Sequence, residues 1–121
     1  MPFFADAMNE GAYVLVEFEG KLTREELEAG RWTAQKLLEA SGCGKLLIDF
    51  TAMLRRISTA DIYIFAESLK VFPPGLKIGL IIPLEQKWSA EFAETLAANR
   101  GICLKVYIDH ETAKIWLLSG S

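Results

Sequence analysis

Histidine occurs once in this chain and cysteine twice, and that scarcity removes whole classes of chemistry. A Ser-His-Asp arrangement must use His110, yet no Gly-x-Ser-x-Gly elbow exists to present a serine. A cysteine–histidine pair would join His110 to Cys103, which lies at the other end of the strand before it, roughly 20 Å away. Cys43, Cys103 and His110 are too dispersed to form a zinc site. Phosphate-binding glycine loops are missing too. Gly42-Cys43-Gly44-Lys45 comes nearest, but Leu46 stands where a P-loop needs Ser or Thr, and the segment precedes a strand instead of following one. There is no Gly-x-Gly-x-x-Gly. The expectation is therefore a non-enzyme, with no catalytic residue, no cofactor and no metal.

A basic excess is also missing. Thirteen Lys and Arg stand against sixteen Asp and Glu, a formal charge of -3, which argues against nucleic acid as a main partner. No apolar run approaches the ~20 residues of a membrane-spanning helix. The longest, Ile78 to Leu84, holds Gly79 and Pro83 and has strand length. Met1-Pro2-Phe3-Phe4-Ala5-Asp6 has no basic start, and Asp6 interrupts its short apolar stretch, unlike a signal peptide. No Asn-x-Ser/Thr acceptor occurs. These features predict a cytoplasmic protein with two reduced thiols.

What the chain has in quantity is apolar surface: 51% of its 121 residues are hydrophobic, and the mean hydropathy is +0.21. The length fits one domain over residues 1–121, able to bury roughly two-thirds of its unfolded surface. Residues 3–8 and 13–18 read as strands joined by a short turn at Asn9-Glu10-Gly11. Thr23-Arg24-Glu25-Glu26 is a capping box opening a helix to about Ser41, with Leu27, Arg31, Ala34, Leu37 and Leu38 inward and Trp32 pointing away. Lys45 to Phe50 is a continuous apolar run ended by an acid, as a strand buried on both faces requires. A second helix runs from Ser58-Thr59 to Phe72, where Pro73-Pro74-Gly75 ends it. Leu76 to Ile82 is a strand. A helix over about Glu85 to Asn99 follows, with Trp88, Phe92, Ala93 and Leu96 inward. Ile102 to Ile108 is the last strand, and Asp109 caps a final helix. The order β-β-α-β-α-β-α-β-α predicts a single α/β domain. Its mixed, mostly parallel five-stranded sheet is flanked by about four helices on both faces.

Ligands of such sheets bind beyond the carboxyl ends of the strands. Asp49, Arg55, Arg56, Glu85, Lys87, Asp109 and His110 fall there, each with an ordinary role as a cap, a loop anchor or a solvated charge. A sharper pattern is Ser58 and Thr59 at a helix N-terminus just after Arg55-Arg56. A phosphate there would meet free amide N–H groups and two guanidinium groups, so the four residues form a candidate phosphorylation or anion site. From the spacing alone, an ordinary N-cap is the favoured account of the serine. The second helix also carries Ala60, Ile64 and Val71 on the side opposite its core face, and with Trp32 these make a candidate interaction surface.

Glu19-Gly20-Lys21-Leu22-Thr23, Leu46-Leu47-Ile48-Asp49, Lys77-Ile78-Gly79-Leu80-Ile81 and Ala113-Lys114-Ile115-Trp116-Leu117 together resemble the SpoIIAA-like family, over nearly the whole chain. That family is related to the STAS anti-sigma-factor antagonists and, by fold, to the CRAL-TRIO lipid-binding domains. The resemblance implies a small sheet flanked by helices. In the antagonists a serine at the start of the helix after the Asp-bearing strand is phosphorylated, and Ser58 or Thr59 falls close to that place. This chain reads Ile57-Ser58-Thr59-Ala60 where the antagonists carry Asp-Ser-Ser-Gly. The expected function is a non-enzymatic protein-interaction or regulatory module, pairing with a protein partner or with itself as a homodimer. The alternative is a domain binding a lipid or small apolar ligand between helix and sheet, among Phe50, Tyr63, Phe65, Phe72 and Trp88.

Overall fold

In the computed structural model, which describes residues 3–21, 23–53 and 58–119 but not the side chains of Thr59 and Ser89, the strand and helix order follows the sequence pattern. The strands are β1 (Phe3–Met8), β2 (Tyr13–Gly20), β3 (Lys45–Met53), β4 (Lys77–Ile81) and β5 (Cys103–Tyr107). The helices are α1 (Arg24–Ser41), α2 (Thr59–Ser68), α3 (Leu84–Ala90), α4 (Phe92–Ala98) and α5 (His110–Leu118), with a 3-10 turn over Leu69–Val71. The sheet order is β1-β2-β3-β4-β5. β1 is antiparallel to β2, and every other neighbouring pair is parallel.

That order places the helices. From β2 to β5 each strand is added on the same side of the last, and right-handed crossovers in one direction all land on one face. The larger core accordingly joins Ala34, Leu38, Phe65, Ala93 and Ala97 from α1, α2 and α4 to Val16, Ile48, Leu80 and Val106 of the sheet. The second face has α5 alone, packed through Ala113 and Leu117 on Tyr13, Leu15, Leu47 and Ile81. The two faces are thus covered unequally, by four helices and one.

Local signals explain most boundaries. The Thr23 hydroxyl accepts from the Glu26 N–H at 3.1 Å, and Gly42 ends α1 in the left-handed region, its N–H donating to the Leu38 carbonyl. The hairpin turn is unusual in placing Asn9, Glu10 and Gly11 in succession at positive φ, which glycine and asparagine tolerate best.

Three expectations need correction. The second helix ends as α-helix at Ser68, and its last residues form the 3-10 turn before the two prolines. The helix expected over residues 85–99 is two, α3 and α4, joined by a tight turn at Glu91, so the α-helices among the described residues number five. Trp88 is not inward. The buried positions of this stretch are Gln86, Ala90, Ala93 and Ala97, and residue 88 lies half a turn from the first two, leaving its indole 89% exposed.

Lys77, at the amino end of β4, fixes the far end of α5. Its ammonium donates to the carbonyls of Trp116 and Ser119 at 2.8 and 2.9 Å and stands 4.5 Å from the centre of the Trp116 ring. A cation at a helix C-terminus satisfies orphan carbonyls and complements the dipole. Lys77→Met keeps the aliphatic stem and loses these bonds. It should cost about 1–2 kcal/mol, read as a lower thermal midpoint by calorimetry.

Candidate functional site

Glu17, Asp49, Ile81 and Tyr107 form one row across the carboxyl side of the sheet, each paired with the next. Two of the four are acids, side by side on adjacent strands. Like charges in that relation repel, and Asp49 is among the most buried polar residues of the chain, 7% exposed. Its orientation is set by Thr51, whose backbone N–H and hydroxyl both donate to Asp49 Oδ1, at 2.7 and 2.6 Å. The β2–β3 register shifts by one residue between Glu17 and Glu19. A bulge immediately past a pair of acids is a recurrent way to re-aim side chains at a site.

His110 completes the group. After β5 the chain turns back over the sheet. Asp109 caps α5 by accepting from the Thr112 N–H at 2.8 Å and from its hydroxyl at 3.1 Å. Those two bonds hold the Asp109 carboxyl below the usual aspartate range. His110, the first helical residue, is thereby placed over the acids. Its Nε2 lies 3.1 Å from Asp49 Oδ2 and 3.5 Å from Glu17 Oε2, and the three side chains offer ligand atoms all within 4.8 Å of one another. Glu17 and Asp49 also border an open cleft of about 490 Å3, with Phe3, Phe4, Phe18 and Glu19 in its wall.

A count of cysteine and histidine alone gives no metal site, and at the rim His110 reads as an ordinary solvated group. The structure half-buries the imidazole and supplies oxygen ligands from β2 and β3. Asp49 and His110 were among the rim residues expected from the strand ends. Glu17 was not, because its place beside Asp49 depends on the pairing of β2 with β3. Glu85 and Lys87 do not join the group, and Asp109 serves as the cap of α5. Glu85 is exposed on the first turn of α3, and Lys87 pairs with Glu91 at 3.5 Å.

Arg55 and Arg56 lie outside the described residues, as does the side chain of Thr59. Ser58 serves as the N-cap of α2, its hydroxyl accepting from the Asp61 N–H at 3.0 Å. The four residues of the candidate interaction surface are all exposed, on α1, on α2 and in the 3-10 turn that follows it. Trp32 lies on α1 beneath the Lys36 ammonium. Val71 lines a separate cleft between the end of α1 and the Pro73 segment, and Ala60 and Ile64 face outward on α2. Cys43 and Cys103 are unpaired. Among the described residues, no helix is long and apolar enough to cross a membrane.

No family model matches the chain, and no curated protein matches it. Among solved structures it is similar to an uncharacterized protein of the DUF3478 family with a SpoIIAA-like fold, from Shewanella loihica PV-4. The two share 22% identity over 95% of this chain and 91% of that one, with a TM-score of 0.55. This chain has a SpoIIAA-like fold. The architecture implied by the sequence resemblance is therefore the one present, a five-stranded mixed sheet flanked by helices. In this version of the SpoIIAA-like fold the acids and the histidine gather where α5 starts, at the edge of the single-helix face.

Proposed function

We propose that this chain is a non-enzymatic interaction module of the SpoIIAA-like type, working in the cytoplasm as a homodimer paired through the outer faces of α2 and α3. The observation that carries the reading is Trp88, whose indole is 89% exposed, with Leu84 one turn earlier at 68%. Residues four apart share a helix face. Tyr63 and Ile64 are exposed on α2, the helix beside α3. Large apolar side chains left in water on adjacent helices favour association, and tryptophan is the residue type most enriched at interface hot spots.

The charge pattern favours a second copy as the occupant. Lys87 on α3 and Glu91, which caps its carboxyl end, lie four residues apart. Two antiparallel copies of α3, related by a two-fold axis near residue 89, would set Lys87 of each opposite Glu91 of the other. An isologous interface needs this kind of self-complementarity. The test is sedimentation equilibrium over a concentration series. The wild-type protein should sediment as a dimer, and Trp88→Ser or Ile64→Asp should weaken the dimer roughly 30-fold or more, with unchanged far-ultraviolet circular dichroism. A wild-type monomer at about 100 μM, or variants that dimerise as the wild type does, overturns the reading.

The cleft of about 490 Å3 bordered by Thr33 of α1 and by Phe3 and Phe18 is open, and the lipid alternative finds little enclosed room beneath α1 and α2. The two cavities described there, one between α1 and the sheet and one beside Ile62 and Phe65, measure about 10 and 20 Å3, the scale of a single water. Phe50, Phe65 and Phe72 are core, and Tyr63 and Trp88 face outward.

A further inference from the structure

We propose that Glu17, Asp49 and His110 form a binding site for one divalent transition-metal cation, which ties the carboxyl ends of β2 and β3 to the first turn of α5. The site is separate from the α2–α3 surface.

Three observations carry it. The first is spacing. Two ligands of one ion, each ~2.1 Å from it, lie ~3.0–3.4 Å apart along the edge of an octahedron or tetrahedron. His110 Nε2 stands 3.1 and 3.5 Å from the two carboxylate oxygens. The second is direction. His110 Nε2 is closed off from solvent and makes no hydrogen bond, although both oxygens are near. The nearer, Asp49 Oδ2 at 3.1 Å, does not lie in line with the axis of the ring nitrogen, as a hydrogen bond needs. Ligands on a common ion sit side by side in this way. The third is burial. Asp49 is nine-tenths buried and anchored by Thr51 through Oδ1 alone, so Oδ2 is left facing the histidine. An outer hydrogen bond that fixes one carboxylate oxygen and presents the other is a common support of a metal ligand.

The donor set indicates the class of ion. Two carboxylates and one imidazole suit Mn2+, Fe2+ or Zn2+ better than Ca2+ or Mg2+, which take oxygen ligands. Three protein ligands leave positions for water, and the half-exposed Glu17 and His110 side chains give an entry path. The cation also answers the repulsion between two acids held side by side.

The test uses Zn2+ as the probe. His110 is the only histidine, so the nitrogen resonances of the imidazole in the labelled full chain report this site alone. At pH 7.5, one equivalent of Zn2+ should shift them and saturate the change. Calorimetric titration should give one ion per chain, with affinity at least tenfold lower in Glu17→Gln and in His110→Ala. Glu17 is half-exposed, so its amide variant keeps the fold. Zinc held by the thiols would leave the imidazole unmoved. Imidazole resonances unmoved by a several-fold excess of Zn2+, or equal affinity in the wild type and both variants, overturn the proposal.

Discussion

Phe50→Ala should lower the thermal midpoint by roughly 10–20 °C, the largest effect expected of any single core truncation here. Removing a buried phenylalanine costs about 3–5 kcal/mol, and each kcal/mol is worth about 3–5 °C in a domain of this length. The position justifies the upper part of that range. The Phe50 ring stacks on Phe18 with centroids 5.2 Å apart and meets Phe65 edge-on at 5.7 Å, and Phe3 lies 5.9 Å from Phe18. This row of rings joins β1, β2, β3 and α2 across the larger core. Cutting one of its two inner members leaves a cavity lined by rigid neighbours, which relax little. Calorimetry of the variant is the measurement, and a loss below about 1 kcal/mol would contradict it.

Gly30→Ala should destabilise the protein although it improves a helix. In an exposed helix interior the change gains about 1 kcal/mol. Here a Cβ on Gly30 would lie 2.5 Å from Cζ and 2.6 Å from Cε1 of Phe18. Phe18 is itself buried and stacked on Phe50, so making room for the methyl means breaking that stack. Overpacking of this kind costs about 1–3 kcal/mol, enough to reverse the propensity gain. A double-mutant cycle checks the cause. With Phe18→Leu already in place the shorter side chain clears the new methyl, and Gly30→Ala should then stabilise, or at least cost nothing. A cost that persists in the Phe18→Leu background rules this explanation out.

Gly30 also illustrates what the sequence conceals. Periodicity identifies the inner stripe of α1 through Leu27, Ala34 and Leu38, but a glycine has no hydropathy to mark it as the closest point between helix and sheet. Trp88 is the opposite case. Its bulk and apolar area suggest the core, and the buried run of Gln86, Ala90, Ala93 and Ala97 is too small and too mixed to outweigh a tryptophan by inspection. Small residues bring α3 and α4 close to their neighbours, and the indole is left outside.

The candidate metal site divides along the same line. Asp49 and His110 are legible as strand-end residues, because any parallel sheet gathers ligands there. Glu17 is not, since an acid near the end of an early strand looks like a solvated charge until its partner strand is known.

The sequence alone determined the order of strands and helices, though not the break between α3 and α4, because apolar periodicity and caps act over a few residues. It also determined the mixed sheet, since a short hairpin forces one antiparallel pair and helical connections force parallel ones. Only the tertiary structure decided that four helices share one face and α5 has the other, since that follows from the spatial order of the strands. The same holds for the register that sets Glu17 beside Asp49, and for the turn after β5 that lays His110 over both. Register and strand order are long-range properties, fixed by the packing of residues far apart in the chain.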